Sequence, residues 1–173
     1  ILMGYYNMIY QYDESKFLRK CKKSGVDGLI VVDLPWPENR KFSNKCKNNE
    51  ISFVQLISPT TSEKRIKMIL KDSHYMIYYI SMLSTTGGKL KVSPFKILSN
   101  YKKIKKLGPK KKCVIGFGIN QKNIRKLKAA DGLVVGSAIC KEITRSLKNR
   151  QNPVTNVSKL VKNLKYKILW IGL

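Results

Sequence analysis

The chain alternates short apolar runs with longer amphipathic segments, and this alternation constrains its fold more than any other feature. Gly28–Val32, for example, is apolar throughout, as is typical of a parallel strand that is buried on both faces. Strand candidates separated by helical segments predict βαβ units and a parallel sheet. Six runs predict strands: Ile1–Tyr5, Gly28–Val32, Ile51–Ile57, Tyr75–Ile80, Cys113–Phe117 and Leu133–Val135.

The segments between and after these runs predict helices, because their apolar residues recur at helical spacing. Seven are predicted: Glu14–Ser24, Pro37–Asn48, Glu63–Lys71, Pro94–Leu107, Gln121–Ala129, Ala138–Leu147 and Val154–Leu169. The polar stretch Ser81–Val92 exceeds the ~2–6 residues of an ordinary βα connection, and such loops often serve as active-site lids. No linker or repeat divides the chain, so we expect residues 1–173 to form a single domain.

Two of the strand candidates end in glycine. Val114-Ile115 leads into Gly116-Phe117-Gly118, and Leu133-Val134-Val135 leads into Gly136-Ser137, where a helix candidate begins. Glycine has no Cβ, so backbone N–H groups beside it can reach phosphate oxygens, and a helix N-terminus adds its positive dipole. Barrel enzymes often bind phosphate at the loops after their last two strands. The pattern therefore predicts a phosphate site at Gly118, Gly136 and Ser137, with turn glycines as the simpler alternative.

The formal net charge of +25 admits two interpretations. One is binding to nucleic acid or an anionic membrane. The other, which we favour, is a compositional excess of Lys spread over solvated helix faces, because no aromatic motif for stacking bases accompanies it. Seven lysines are expected to point outward: Lys16, Lys20, Lys23, Lys102, Lys103, Lys106 and Lys162. No apolar stretch reaches the ~20 residues of a membrane span.

The cysteines and the single histidine show no metal-ligand spacing. Cys21, Cys46, Cys113 and Cys140 are widely separated, which favours buried or semi-buried thiols in a reducing, cytoplasmic compartment. His74 precedes a strand candidate, whereas catalytic groups in β/α barrels lie where strands end. A structural role for His74 is therefore favoured, and neither a metal nor a cofactor is predicted for this chain.

Several short motifs, taken together, resemble one known family, the alpha subunit of tryptophan synthase. They occur in the family's order and spacing across nearly the whole chain, and their combination is highly specific. The matching pieces are Leu2–Asn7, Gly25–Pro35, Ser58–Thr61, Tyr78–Ser81, Thr86-Gly87, Gly116–Ile119 and Asp131–Ile139 with Lys141.

The resemblance implies a partial TIM (β/α)8 barrel that carries strands 3–8 of the family's fold. It implies tryptophan biosynthesis through aldol cleavage of indole-3-glycerol phosphate to indole and glyceraldehyde 3-phosphate. It further implies that indole passes to a pyridoxal-phosphate-dependent beta subunit in an alpha2-beta2 complex. The family's acid/base Glu and Asp would precede Ile1, so we expect the 173-residue chain alone to be inactive.

The resemblance also assigns roles to individual residues. Tyr78 corresponds to a tyrosine beside the catalytic carboxylate, although a barrel-interior aromatic is an equal alternative. Asp33 and Pro35 correspond to a loop that faces the beta subunit, with a helix N-cap as the simpler alternative for Asp33. The substrate-binding positions would be Tyr5, Asn7, Thr86, Gly87, Gly118, Gly136 and Ser137.

Two departures from the family pattern affect what is expected of the lid and the interface. The lid stretch Met82–Gly87 lacks the Arg and the first Gly of the family loop, and Trp36 replaces a Pro or small residue near the expected subunit interface. These changes leave open a non-catalytic chain that only regulates a beta subunit. A basic nucleic-acid-binding protein is the other alternative, which clustering of Lys on one face would favour.

Overall fold

The chain forms a parallel sheet with helices along its outer face. The computed structural model describes residues 1–81 and 92–169. All five strand pairings are parallel in this part of the chain. Its strands are β1 (Leu2–Gly4), β2 (Gly28–Val31), β3 (Ser52–Phe53), β4 (Gln55–Ile57), β5 (Met76–Ile80), β6 (Lys112–Gly116) and β7 (Gly132–Leu133).

The third predicted strand is divided at Val54. β3 completes the order β1-β2-β3, and β4 opens the order β4-β5-β6-β7. The Val54 N–H still donates to the Leu29 carbonyl over 2.9 Å, so one continuous segment joins both sheets. The sheet turns at this point, as a barrel wall must. The predicted parallel sheet of six strand positions is thereby confirmed.

Seven α-helices accompany the strands. They are α1 (Tyr6–Tyr12), α2 (Glu14–Lys23), α3 (Arg40–Asn48), α4 (Glu63–Asp72), α5 (Pro94–Leu107), α6 (Ser137–Lys148) and α7 (Pro153–Leu169). Serine caps fix two of these starts, since the Ser62 side chain accepts from the Arg65 N–H and the Ser93 side chain from the Lys96 N–H. α1 was not predicted, because its seven residues make only about two turns, which is too short for an apolar periodicity to be recognised.

The prediction of a helix over Gln121–Ala129 is wrong. Only a short 3-10 helix forms there, at Ile124–Leu127. Asn123 Oδ1 accepts from the Asn120 N–H, and Asn120 Oδ1 accepts from the Lys122 N–H. Such side-chain bonds offer the backbone an alternative to the α-helix.

Two other boundaries also differ from the sequence analysis. α3 begins at Arg40 rather than at Pro37. The last strand, predicted as Leu133–Val135, is Gly132–Leu133, although the Val134 N–H still donates to the Ile115 carbonyl over 2.8 Å. The expectation of a single domain over residues 1–173 stays a prediction.

The core has an inner and an outer layer. Ile30, Val54 and Tyr78 form the inner layer on the concave side of the sheet. The outer layer comprises one cluster under α1, α2 and α3 and a larger one under α4, α5 and α7. This division into layers is that of a β/α barrel wall, in which the strands separate two apolar faces.

The expected structural role of His74 is supported by its contacts. Its Nδ1 accepts from the Phe53 N–H over 2.9 Å, and its Nε2 lies 3.2 Å from the Ser43 hydroxyl. Burial, Lys47 and Lys111 lower the pKa of His74, so the neutral ring is favoured.

The expectation that the cysteines are buried or semi-buried holds for three of them and is wrong for the fourth. Cys21, Cys46 and Cys113 are buried, and burial raises the pKa of Cys46 and of Cys113 to about 12. Cys140 is exposed on the first turn of α6, because the face of α6 that carries it faces solvent.

The surface lysines follow the expected pattern. All seven that the sequence placed outward are exposed, and they are divided among α2, α5 and α7 rather than gathered on one helix. Within residues 1–81 and 92–169, no helix is long and apolar enough to cross a membrane.

Candidate active site

The strand register brings the two glycine-ended loops to the same height. Ile115 of β6 pairs with Leu133 of β7. Gly118 and Gly136 each follow their paired residue by three positions, and neighbouring strands lie only ~4.8 Å apart. Both loops therefore leave the C-terminal edge of the sheet side by side, as a shared phosphate site requires.

The turn after β6 is held in a conformation that suits glycine. Phe117 and Gly118 both have a φ of +69°, which is costly for a side chain such as that of Phe117. The buried Ser81 N–H donates to the Gly116 carbonyl over 3.0 Å, and its hydroxyl lies 2.7 Å from the carbonyls of both Gly116 and Phe117. Asn123 Nδ2 donates to the Gly118 carbonyl over 2.7 Å. These bonds occupy the carbonyls of Gly116, Phe117 and Gly118.

The loop after β7 opens directly into α6. Gly136 is the N-cap, and its carbonyl accepts from the N–H groups of Ile139 and Cys140 at 2.8 and 3.2 Å. The first N–H groups of a helix have no partner within the helix, so those of Ser137 and Ala138 are available to an anion. A Cβ added at Gly136 would meet no atom within 4 Å, which shows open space at this position.

Tyr78 lies in the barrel interior beneath these loops. Its side chain is 4% exposed, and its ring meets that of Phe117 edge to face, with centroids 6.3 Å apart. A Cβ at Gly116 would lie 1.7 Å from the Tyr78 hydroxyl, so glycine at 116 leaves room for the tyrosine. Burial raises the pKa of Tyr78 above its ordinary value, which keeps the phenol protonated.

The residues expected after β1 and β2 gather at the same edge. Tyr5 directly follows β1, Asn7 lies in the first turn of α1, and both are exposed. The Asp33 carboxylate accepts from the Tyr6 N–H over 2.7 Å, which ties the loop after β2 to the start of α1. Asp33 thus accepts a hydrogen bond from the first N–H group of α1. The simpler interpretation had placed it as an N-cap of the helix that follows it in sequence. Pro35 is exposed on the same loop.

Trp36 follows Pro35 on the same loop, and its side chain packs against α4. Its Nε1 donates to the Asp72 carboxylate over 2.8 Å, and the Arg65 guanidinium lies 5.7 Å from its ring centroid. A cavity of about 410 Å³ separates this loop from the end of β4, where Ser58 and Thr61 line it. The unusual tryptophan therefore fills space between α3 and α4 with a satisfied indole N–H.

Some predicted positions cannot be placed, and some residues were not anticipated. Thr86, Gly87 and the altered stretch Met82–Thr85 lie outside the described residues. Sequence reasoning quoted Ser81 only as part of a motif and did not assign it a role, and it missed Asn123 entirely. A Ser directly after a strand and an Asn five residues after a Gly were the only signals available. No group of three potential metal ligands is found in residues 1–81 and 92–169.

The comparisons with known proteins agree with one another. A family model described as tryptophan synthase alpha chain matches residues 1–168. The tryptophan synthase alpha chain of Pelagibacter ubique is 68% identical over 168 residues, which cover 97% of this chain and 63% of that protein. The Methanocaldococcus jannaschii alpha chain is 36% identical over 149 residues, covering 85% of this chain and 52% of that one. The chain thus spans roughly half to two thirds of the length of these relatives.

Solved structures show the same fold. The tryptophan synthase alpha subunit of Legionella pneumophila superposes with a TM-score of 0.84 at 28% identity, covering 96% of this chain and 61% of that one. A structure described as the tryptophan synthase a2b2 complex of Pyrococcus furiosus gives a TM-score of 0.80 at 33% identity, covering 95% and 65%. The resemblance and the partial TIM barrel expected from sequence are thereby confirmed, and the chain belongs to the tryptophan synthase alpha chain family.

Proposed function

We propose that this chain supplies the phosphate-holding part of an enzyme that cleaves indole-3-glycerol phosphate to indole and glyceraldehyde 3-phosphate, a step of tryptophan biosynthesis. The observation that carries this proposal is the open N-terminus of α6 beside the turn at Gly118. The N–H groups near Gly118, Gly136 and Ser137 bind the phosphate. Family membership supplies the reaction, a carbon–carbon lyase step.

The cleavage is a retro-aldol reaction and needs groups of three kinds. A base removes the proton of a glycerol hydroxyl, an acid protonates indole C3, and a third group stabilises the indole nitrogen as it becomes cationic. Acid–base catalysis of this kind contributes ~10²–10⁴-fold. Tyr78, buried and protonated, is an auxiliary residue that lies beside the principal carboxylate, and Tyr5, Asn7 and Thr86 contact the substrate.

The principal Glu and Asp lie ahead of Ile1 if the family resemblance is followed strand by strand. We therefore propose that the 173 residues by themselves release no measurable indole. A polypeptide that also carries those carboxylates does release it. Comparing indole release by the two under the same conditions tests this directly.

The proposed partner is a pyridoxal-phosphate-dependent beta subunit, which receives the indole in the cytoplasm. Asp33 and Pro35 lie on an exposed loop at the C-terminal edge of the sheet, where a partner can approach. The chain itself needs no cofactor in this scheme. The related Pyrococcus furiosus protein is described in an a2b2 complex, which supports the same assembly here.

The phosphate assignment is tested with Gly136→Ala and Gly136→Val in the natural protein that carries this chain. A Cβ at Gly136 meets open space, so both variants should fold, while the valine side chain occupies the place of the anion. We expect Gly136→Val to raise KM for indole-3-glycerol phosphate at least about tenfold, because charge-assisted bonds to phosphate are lost. Gly136→Ala should have a smaller effect.

The control is the same substrate without its phosphate. Cleavage of indole-3-glycerol should be equally slow in the unmodified protein and in Gly136→Val. If the valine variant lowered both activities alike, Gly136 would serve the fold or the chemistry rather than the phosphate.

A further inference from the structure

A second cavity lies at the opposite end of the strands from the candidate active site. It has a volume of about 600 Å³ and opens between α3 and α4, beside the N-terminal ends of β3 and β5. Arg40, Lys47, Lys71 and Lys111 line it together with Ser43, Ser52 and His74. Ligand cavities usually enclose ~300–1,000 Å³, so this one can hold a small metabolite.

The charges around the cavity leave an excess of cations. Arg40 is paired with Asp72 at 3.0 Å, and Glu50 is paired with Lys22 at 2.6 Å. Both carboxylates of the cavity wall are thus already neutralised. Among the described residues, no ion pair engages the exposed ammonium groups of Lys47 and Lys71.

Lys111 adds a third positive charge at the cavity wall. Its Nζ donates to the carbonyls of Ser73 and His74 at 2.5 and 2.7 Å, and within residues 1–81 and 92–169 no ion pair engages it. α3 contributes Lys47, and α4 ends at Lys71 and Asp72. The cavity therefore receives positive charge from three separate segments of the chain.

One hydroxyl group in the cavity wall also has a proton to donate. Because His74 Nδ1 accepts the Phe53 N–H, the proton of the neutral ring is on Nε2, which donates to Ser43 Oγ. The proton of the Ser43 hydroxyl, on a residue that is 4% exposed, therefore remains available to another acceptor. Ser52 Oγ has no hydrogen-bond partner in residues 1–81 and 92–169, but it has almost no accessible surface, so a ligand in the cavity does not contact it.

We propose that this cavity binds a small phosphorylated molecule, with its phosphate between Lys47, Lys71 and Lys111 and beside the Ser43 hydroxyl. An oxyanion with several acceptor oxygens accepts from this hydroxyl and from the ammonium groups at once, which a single carboxylate does not. The site is separate from the phosphate site at Gly118 and Gly136, which lies at the C-terminal edge of the sheet.

His74 is the only histidine of these 173 residues, and it lines the cavity. Its imidazole proton NMR signals, assigned by their loss in a His74→Asn variant, therefore report on the cavity and not on the opposite end of the strands. Inorganic phosphate and pyrophosphate are titrated at constant pH into the natural protein that carries this chain, at ~150 mM salt to screen the general positive field. We expect saturable shifts of the His74 signals.

Charge-matched variants separate a built site from general attraction. Lys47→Gln with Lys71→Gln should weaken pyrophosphate binding at least about tenfold, because charge-assisted bonds are lost. Lys20→Gln with Lys102→Gln removes the same charge from exposed positions elsewhere and should change the affinity less than about twofold. Ser43→Ala should weaken binding without altering the net charge.

Three results would overturn the proposal. The first is an absence of saturable His74 shifts at millimolar pyrophosphate. The second is an equal loss of affinity in the two double variants, which would indicate the field of the whole protein. The third is equally tight binding of citrate, which would assign the cavity to polycarboxylates.

Discussion

At the scale of single residues, the candidate site depends on which glycines face a neighbour and which face open space. A Cβ added at Gly116 would clash with the Tyr78 side chain, whereas a Cβ added at Gly136 would have no atom within 4 Å. The first glycine serves packing inside the barrel, and the second leaves room for a ligand. Both end apolar runs in the sequence, where they look alike.

This difference predicts that a glycine-to-alanine substitution lowers stability at one position and hardly changes it at the other. Gly116→Ala should lower the free energy of unfolding by about 1–3 kcal/mol, since an overpacked interior must shift. Gly136→Ala, the matched control, should change it by less than about 0.5 kcal/mol, as for a surface position. Urea unfolding of both variants measures the difference. Equal stabilities would show that Tyr78 moves aside at little cost.

At the scale of elements, His74 joins three parts of the fold. It precedes β5, accepts from the backbone of β3 and contacts Ser43 of α3. Protonation of Nδ1 removes the acceptor for the Phe53 N–H and adds charge beside Lys47 and Lys111. The tie therefore depends on the neutral ring.

The stability of this tie should depend on pH. The pKa of His74 is lowered from 6.5 in the folded chain, so the unfolded chain binds more protons between the two values. The contribution is complete above pH 6.5 and is lost as the pH falls through the folded-state pKa. We expect the free energy of unfolding to decrease from pH 7 towards pH 5.

His74→Asn is the variant that isolates this effect, because it keeps a short side-chain acceptor without a titrating ring. No other histidine is present, and ordinary carboxyl groups titrate mainly below about pH 5. The variant should therefore show a flatter profile of unfolding free energy between pH 5 and pH 7. An unchanged slope would assign the pH dependence to other groups.

At the scale of the whole molecule, the sheet has two edges. Within the described residues, β1 and β7 each have a strand on one side only. Leu2 and Met3 of β1 are 48% and 54% exposed, and such open apolar edges invite pairing with other chains. We expect the isolated 173-residue chain to self-associate or to have a low thermal unfolding temperature.

Sedimentation velocity over a range of concentrations measures this tendency. Met3→Lys should reduce association, because a charge on an edge strand opposes pairing. Met68→Lys, at an equally exposed position on α4, should leave association nearly unchanged. A monomeric chain with a sharp, cooperative thermal transition would contradict the prediction.

The sequence by itself determined the order of the strands and the parallel sheet, because apolar runs, helical spacing and glycine-ended strands are local signals, and its short motifs identified the family by resemblance. Local side-chain bonds overrode helical spacing at Asn120 and Asn123, which the periodicity does not register. Only the tertiary structure decided that Asp33 binds the Tyr6 N–H and that Ser81 fixes the turn after β6, since each pair is brought together by strand register. The cationic cavity is of the same kind, because Lys47, Lys71 and Lys111 are distant in sequence and meet only when α3, α4 and β6 assemble around one space.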